Sequence, residues 1–396
     1  MHPSIAVTDD IYWVGVNDRE TQIFEALWPI PEGISYNAYL ILDEKVALID
    51  TVKNCYLTQL VNKIQKLLKS GQSVDYLIIN HMEPDHSGAI EMVTKVFPGI
   101  QIIGNKKTLE FLEGYYGITQ NTKQIADGDV LDLGRHKLSF HLTPMVHWPE
   151  TMMTYDSTDK VLFSGDAFGG FGALNGGIFD DELDVDFYED EILRYFSNIV
   201  GKYSPMVQKA FAKLAGLDIA AIAATHGAVW RKNPKCIIDH YDRWSRYEGE
   251  KGVVLVYASM YGNTKKMAEE VARGLMAEGM NRIRIYNVSE SHVSYIIKDA
   301  WRYQGIILGS CTYDMKLFPL MKNVTDLLAA KMLKNRSLGI FGSYGWSGGA
   351  VKALRAFAEV VKWDLVEPQV EALRAPSDDI LAQCKQLGRN MAQRLT

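Results

Sequence analysis

Short apolar runs ended by polar turns fill the first 250 residues. N-A-Y-L-I-L-D (Asn37–Asp43) and K-V-A-L-I-D-T (Lys45–Thr51) predict two strands of a hairpin. Leu57, Leu60, Val61, Ile64, Leu67 and Leu68 fall at helical spacing and predict a helix over Tyr56–Lys69. Y-L-I-I-N (Tyr76–Asn80) predicts a further strand, as do Gly99–Gly104, Lys137–Thr143, Thr151–Asp156, Lys160–Ser164 and Ala220–His226. Mixed strands and helices of this kind predict two sheets faced by helices.

The pattern changes near residue 250. E-G-E-K-G (Glu248–Gly252) reads as a charged, glycine-bearing hinge. Beyond it, near-continuous apolar runs alternate with helical segments: G-V-V-L-V-Y-A-S, R-I-R-I-Y-N-V, G-I-I-L-G-S-C, S-L-G-I-F-G-S, and a shorter strand near Leu365–Val370. Five such strands with five helices predict a doubly wound parallel sheet. The expected domains are 1–250 and 251–396.

Composition narrows the function classes. The chain has 396 residues, 47% hydrophobic and 23% charged, enough apolar surface for two cores. A net charge of −6 argues against nucleic acid or an anionic membrane surface as partner. No apolar run reaches the length of a membrane span, and the start of the chain lacks a secretory pattern, so a cytoplasmic location is expected. The four cysteines, Cys55, Cys236, Cys311 and Cys384, are far apart in sequence. That excludes a fused centre built from paired C-x-x-C turns and a disulfide framework.

The chemistry gathers where strands end. N-H-M-E-P-D-H-S-G (Asn80–Gly88) puts His81, Glu83, Asp85 and His86 directly after an apolar strand. Because alternate residues point the same way, His81, Glu83 and Asp85 are expected to converge. His147 (P-M-V-H-W-P-E), Asp166 (V-L-F-S-G-D-A) and His226 (I-A-A-T-H-G-A) stand at three other strand ends. Strand ends of one sheet lie side by side, so the six residues His81, Glu83, Asp85, His147, Asp166 and His226 form a candidate metal site. The set resembles the metallo-β-lactamase superfamily, whose loop is usually H-x-H-x-D-H. Here Glu83 replaces the second His. Carboxylate in place of imidazole makes the site harder and more anionic, which suits iron over zinc. Glu83, Asp85 and Asp166 bring three negative charges against four on two ferrous ions, leaving about one for a bridging hydroxide; Asp166 is the natural bridging carboxylate. His86 is either a ligand or a contact pointing away. Asp50 is expected to orient a histidine. His2, His136, His141, His240 and His292 are read as surface or structural.

In the second domain, S-M-Y-G-N-T (Ser259, Met260, Tyr261, Gly262, Asn263, Thr264) joins the first strand to a helix N-terminus. Small residues, hydroxyls and free amides at a helix start cradle a phosphate. G-S-C-T-Y-D brings Ser310, Thr312 and Tyr313 after the third strand. F-G-S-Y-G-W-S-G-G brings Ser343, Tyr344, Gly345, Trp346 and Gly348 after the fourth. These three loops resemble the flavin mononucleotide (FMN) site of flavodoxins, with the aromatics as stacking candidates.

Together the motifs H-x-E-x-D-H, S-x-Y-G-N-T and G-x-Y-G-W-S-G-G resemble the flavodiiron proteins over nearly the whole chain. The resemblance implies an N-terminal metallo-β-lactamase-like αββα sandwich with an oxo- or hydroxo-bridged di-iron site. It implies a C-terminal flavodoxin-like five-stranded sheet that binds FMN. The implied activity is reduction of dioxygen to water or nitric oxide to nitrous oxide. The implied donor is a separate rubredoxin or a reduced deazaflavin. A head-to-tail homodimer or dimer of dimers, and the minimal two-domain class, are implied too. Trp148 would shape the pocket near the flavin. Tyr195 either donates a hydrogen bond to bound oxygen or packs its helix. Glu25 stands where relatives often carry His, which leaves the preferred gas open. Two rivals stand beside this reading: a zinc hydrolase with a fused electron carrier, and an electron-transfer protein with a degenerate metal site.

Overall fold

A computed structural model describes residues 3–395; His2 lies outside them. The chain separates into two compact units, Met1–Asp242 and Arg243–Thr396.

The first unit is a sandwich of two sheets. One runs in the order Ile5–Ala6, Ile11–Trp13, Tyr39–Ile41, Ala47–Ile49, Tyr76–Ile78, Gln101–Asn105, Thr122–Ile125. The other runs Val130–Asp132, Lys137–Leu142, Met152–Asp156, Val161–Gly165, Ala221–Ala224, Val229–Trp230. Their facing side chains make one core, with Ile11, Trp13, Ile49, Ile78 and Ile103 against Leu138, Phe140, Met152 and Phe163. The hairpin expected around Asp43 is antiparallel, with Tyr39 opposite Ile49. The predicted helix spans Leu57–Leu67 and buries Leu60 and Ile64.

Sequence reading missed the outer strands Ile5–Ala6 and Ile11–Trp13 and two small hairpins between Val16 and Tyr36. Strands of two or three residues are too short to show a period of two.

The second unit has five parallel strands in the order Ile283–Asn287, Glu250–Ala258, Tyr303–Tyr313, Ser337–Tyr344, Asp364–Leu373. This is the flavodoxin order, in which ligands bind beyond the carboxyl ends of the strands. The last strand runs ten residues, longer than its apolar stretch suggests, because exposed polar residues alternate along it at the sheet edge. The helix Asp378–Arg394 packs on Asn263–Ala277 through Gly388 and Gly274. Among the described residues, no helix is long and apolar enough to cross a membrane.

Candidate metal centre and flavin cleft

The loop after Tyr76–Ile78 does not stay extended. Pro84 opens a four-residue helix, Pro84–Ser87, with Glu83 as its N-cap. That turn breaks the alternation expected for His81, Glu83 and Asp85. His81 and Glu83 join His147 and Asp166; Asp85 joins His86 and His226.

In the first group, His81 Nε2 lies 3.2 Å from Glu83 Oε2 and 3.4 Å from Asp166 Oδ2. His147 Nε2 lies 3.1 Å from the same Glu83 oxygen and 3.0 Å from Asp166 Oδ2. In the second, His86 Nε2 is 3.3 Å and His226 Nε2 is 3.4 Å from Asp85 Oδ2. Asp166 Oδ1 faces this group, 3.1 Å from His86 and 3.7 Å from His226. One carboxylate therefore turns one oxygen to each cluster. His86 turns its Nε2 inward, toward Asp85 and Asp166, and not away from the cluster.

The donors fit a pair of ions. Donors about 2.1 Å from a shared ion at right angles lie about 3 Å apart. His86 Nε2 and His226 Nε2 stand 3.0 Å apart, and among the described residues both buried oxygens of Asp85 have no hydrogen-bond partner. Such atoms are costly unless something else satisfies them. Two of the outer nitrogens are held: His81 Nδ1 pairs with Glu150 Oε1 at 2.7 Å, and His226 Nδ1 with the Ser35 carbonyl at 2.7 Å. A proton on each Nδ1 leaves the Nε2 lone pair facing inward.

Charge is strongly coupled here. Burial opposes ionisation of Asp166, but His81, His86 and His147 hold its carboxyl well below the usual range. Burial likewise opposes charge on His147, yet Asp166 and Glu83 raise it to about 9. His86 reaches about 9 because Asp85 and Asp166 outweigh its burial.

Several surrounding groups were not anticipated. Glu150 accepts from the Met82 N–H at 2.9 Å as well as pairing with His81. Its signal was faint, a lone Glu three residues after His147. Thr225 Oγ1 donates to Asp166 Oδ1 at 2.6 Å. Asp50, expected to orient a histidine, instead accepts the Asn80 N–H at 2.8 Å and fixes the loop's backbone. Glu150→Ala is expected to lower iron affinity about 10- to 100-fold without unfolding the unit, as measured by iron retention against a graded chelator.

Tyr195 ends the helix Val185–Tyr195 where it continues as the π-helical turn Phe196–Val200. Its ring lies 5.4 Å from that of His226, and among the described residues its buried hydroxyl has no hydrogen-bond partner. Burial and the Asp166 carboxylate push this phenol well above its ordinary value, so it stays protonated. Trp148 packs edge-on against His81, ring centres 5.2 Å apart. At the tip of the hairpin Ile23–Pro29, Glu25 accepts from Trp28 Nε1 at 2.9 Å. Its carboxyl is pushed up to about 7 by burial and by Glu83 beside it. Elsewhere, His136 pairs with Asp156 at 3.1 Å, and Arg135 meets the nearby Asp159 at 2.9 Å.

In the second unit the ends of four strands and the loops after them line a cleft of about 770 Å³. Gly262 takes φ +91°, open to glycine, and caps the helix Asn263–Ala277. Ser259 Oγ accepts from the N–H groups of Gly262 (3.1 Å) and Lys265 (3.3 Å), so the hydroxyl shapes the loop. Thr264 and Ser343 hydroxyls meet at 2.8 Å across the cleft floor. Of the positions singled out from the sequence, Gly262, Ser310 and Gly348 do not line the cleft and the others do. Ser310 is buried and donates to the Cys311 carbonyl at 2.8 Å. Gly348 packs beside Glu371. Tyr261 and Trp346 stand 92% and 91% exposed, free to close on a flat ring. Cys311, Asp314, Met315, Ser347 and Arg374 line the cleft as well and were not anticipated.

A carboxylate-rich two-ion site in a lactamase-type sandwich, joined to a phosphate-and-ring cleft on a flavodoxin sheet, defines a class of two-domain metalloflavoproteins. Residues 34–227 match the family described as ODP family beta lactamase, and residues 255–387 match Flavodoxin. The chain is 34% identical to a nitric oxide reductase of Moorella thermoacetica, with both chains covered completely. It is 33% identical to the anaerobic nitric oxide reductase flavorubredoxin of Vibrio vulnificus, across 98% of this chain and 80% of that one. Its fold is similar to the rubredoxin oxygen:oxidoreductase of Desulfovibrio gigas, with TM-score 0.94, 28% identity, and 99% and 98% of the two chains covered. It is similar also to the flavodiiron protein of Giardia intestinalis, with TM-score 0.95, 27% identity, and 100% and 97% covered. The chain belongs to the flavodiiron protein family.

Proposed function

We propose that this protein reduces dioxygen to water, nitric oxide to nitrous oxide, or both, at a di-iron centre supplied with electrons through FMN. The observation that carries the reading is Asp166, whose two oxygens face two separate groups of metal-type donors. Residues 1–250 take the metal role and residues 251–396 the flavin role.

His81, Glu83, His147 and Asp166 would hold one ion; Asp85, His86, His226 and Asp166 the other. When bound, the iron pair supplies electrons and open positions for a diatomic gas, and FMN supplies a two-electron store. The chain's own groups do the rest. Glu150 fixes the ring of His81. The Tyr195 hydroxyl, protonated and without a partner, can donate to a substrate oxygen beside His226. Trp148 walls the side of His81.

The name of the Vibrio relative and that of the Desulfovibrio enzyme both contain rubredoxin. That supports rubredoxin as the electron donor, with a reduced deazaflavin as the other candidate. The exposure of Tyr261 and Trp346 at the cleft supports a face covered in a head-to-tail dimer or dimer of dimers.

Metal loading should depend on pH. His86 and His147 sit near 9 in the metal-free chain, so each must release a proton to bind an ion. Apparent iron affinity is expected to fall about tenfold per pH unit for each displaced proton as pH drops below 9. Iron retention after dialysis between pH 8 and pH 5.5 checks this slope; a flat profile contradicts it.

The function is tested by anaerobic turnover of the flavin-reduced protein with dioxygen and with nitric oxide in parallel, alongside iron and zinc analysis. Two irons per chain and consumption of at least one gas are expected. One zinc, or no consumption of either gas, ends the reading.

A further inference from the structure

The flavin cleft has two charged side chains in its lining, Asp314 and Arg374. Arg374 directly follows the edge strand Asp364–Leu373, and its N–H donates to the Tyr344 carbonyl at 2.7 Å. It adopts φ +64°, a conformation that costs energy for a residue with a side chain and recurs at functional sites. The residue is exposed, and among the described residues its guanidinium has no ion-pair partner.

The sheet order says which end of a ligand this cation meets. The phosphate-type loop follows Glu250–Ala258, and Arg374 follows a strand three places along: Tyr303–Tyr313 and Ser337–Tyr344 lie between. At 4.7–4.9 Å per strand, Arg374 stands about 14 Å from that loop across the sheet. A phosphate seated there is out of its reach. Tyr344 lines the same cleft and accepts the Arg374 N–H, so a flat ring held against Tyr344 would come within its reach.

We propose that Arg374 tunes the redox potential of the flavin by stabilising its reduced form over its oxidised form. This rests on the FMN reading above. Uptake of two electrons from an external one-electron carrier and one proton from water leaves the ring with one negative charge. The oxidised ring is neutral. A fixed cation beside the ring therefore binds the reduced state more tightly and raises the midpoint potential. Asp314 in the same cleft acts with the opposite sign.

The test is a spectroelectrochemical titration of the full FMN-loaded protein. Arg374→Gln is expected to bind reduced FMN about tenfold more weakly relative to oxidised FMN, which lowers the two-electron midpoint by about 30 mV. Arg374→Lys should recover most of that shift, and Asp314→Asn should shift the midpoint upward. An unchanged midpoint in Arg374→Gln, or a downward shift of equal size in both Arg374→Gln and Asp314→Asn, overturns the proposal. The second pattern would mean that any disturbance of the cleft moves the potential, whatever its charge. A wild-type chain that takes up no FMN overturns the flavin reading itself, and this proposal with it.

Discussion

An Asp166→Ala protein is expected to fold, to keep its yellow flavin and to lose both irons and all gas reduction. The side chain is 1% exposed and holds three relationships at once. Oδ2 faces His147 and His81, Oδ1 faces His86 and His226, and Oδ1 also accepts from Thr225. Losing only an outer partner of a metal ligand costs about 10- to 100-fold in affinity. Asp166 serves both ions, so its loss is expected to exceed that for each of them. It also removes the negative charge that best balances the imidazoles, leaving His86 and His147 with less reason to stay near 9. The fold should survive, because His86 and His147 can release their protons once the carboxylate that holds them charged is gone, which leaves no unpaired buried charge. Iron analysis, flavin absorbance and gas consumption on one preparation give the answer. Two irons and full turnover in the variant would show that the assignment of ligands is wrong. Loss of flavin together with iron would point to general unfolding.

Gly388→Val is expected to have the largest effect on stability, and to spare the metal unit. The helices Asn263–Ala277 and Asp378–Arg394 meet backbone to backbone. A Cβ at Gly388 would strike the Val271 carbonyl oxygen, and would lie 2.8 Å from Leu275 N and 3.0 Å from Gly274 Cα. None of these atoms belongs to a side chain that can swing away, so the helices must part. Overpacking typically costs 1–3 kcal/mol, and a backbone collision belongs at or above the upper end, about 3 kcal/mol. Against a total stability of about 5–15 kcal/mol, that is enough to unfold the C-terminal unit at modest temperature. Flavin is expected to be released on mild heating while iron stays bound. Gly114→Ala is the control: it lies in the helix Lys106–Tyr116 with nothing within 4 Å of the added methyl. It should be neutral or slightly stabilising. Equal melting of Gly388→Val and wild type would contradict the close packing of the two helices.

Much of the architecture was legible in the chain. The apolar runs after residue 250 are long because parallel strands are buried on both faces, and such runs survive as a pattern. The strand-end histidines and carboxylates were legible for another reason: those residue types are costly to bury unless paired. The thin strands near the start were not legible, since two or three residues carry no period. Glu150 was missed because its role depends on reaching back to His81 across 69 positions of sequence. Arg374 was missed because an arginine at a strand end looks like ordinary surface.

The sequence alone determined which kinds of side chain stand at the ends of the strands, and with them the class of chemistry. Those choices are local, set by strand period and by turn residues. The tertiary structure alone decided how the ligands are shared out. Pro84 starts a helical turn, so Asp85 leaves His81 and Glu83 for His86 and His226, and Asp166 comes to lie between the two groups. That partition depends on the directions of side chains from four separate loops, and direction in space is not carried by spacing along a chain.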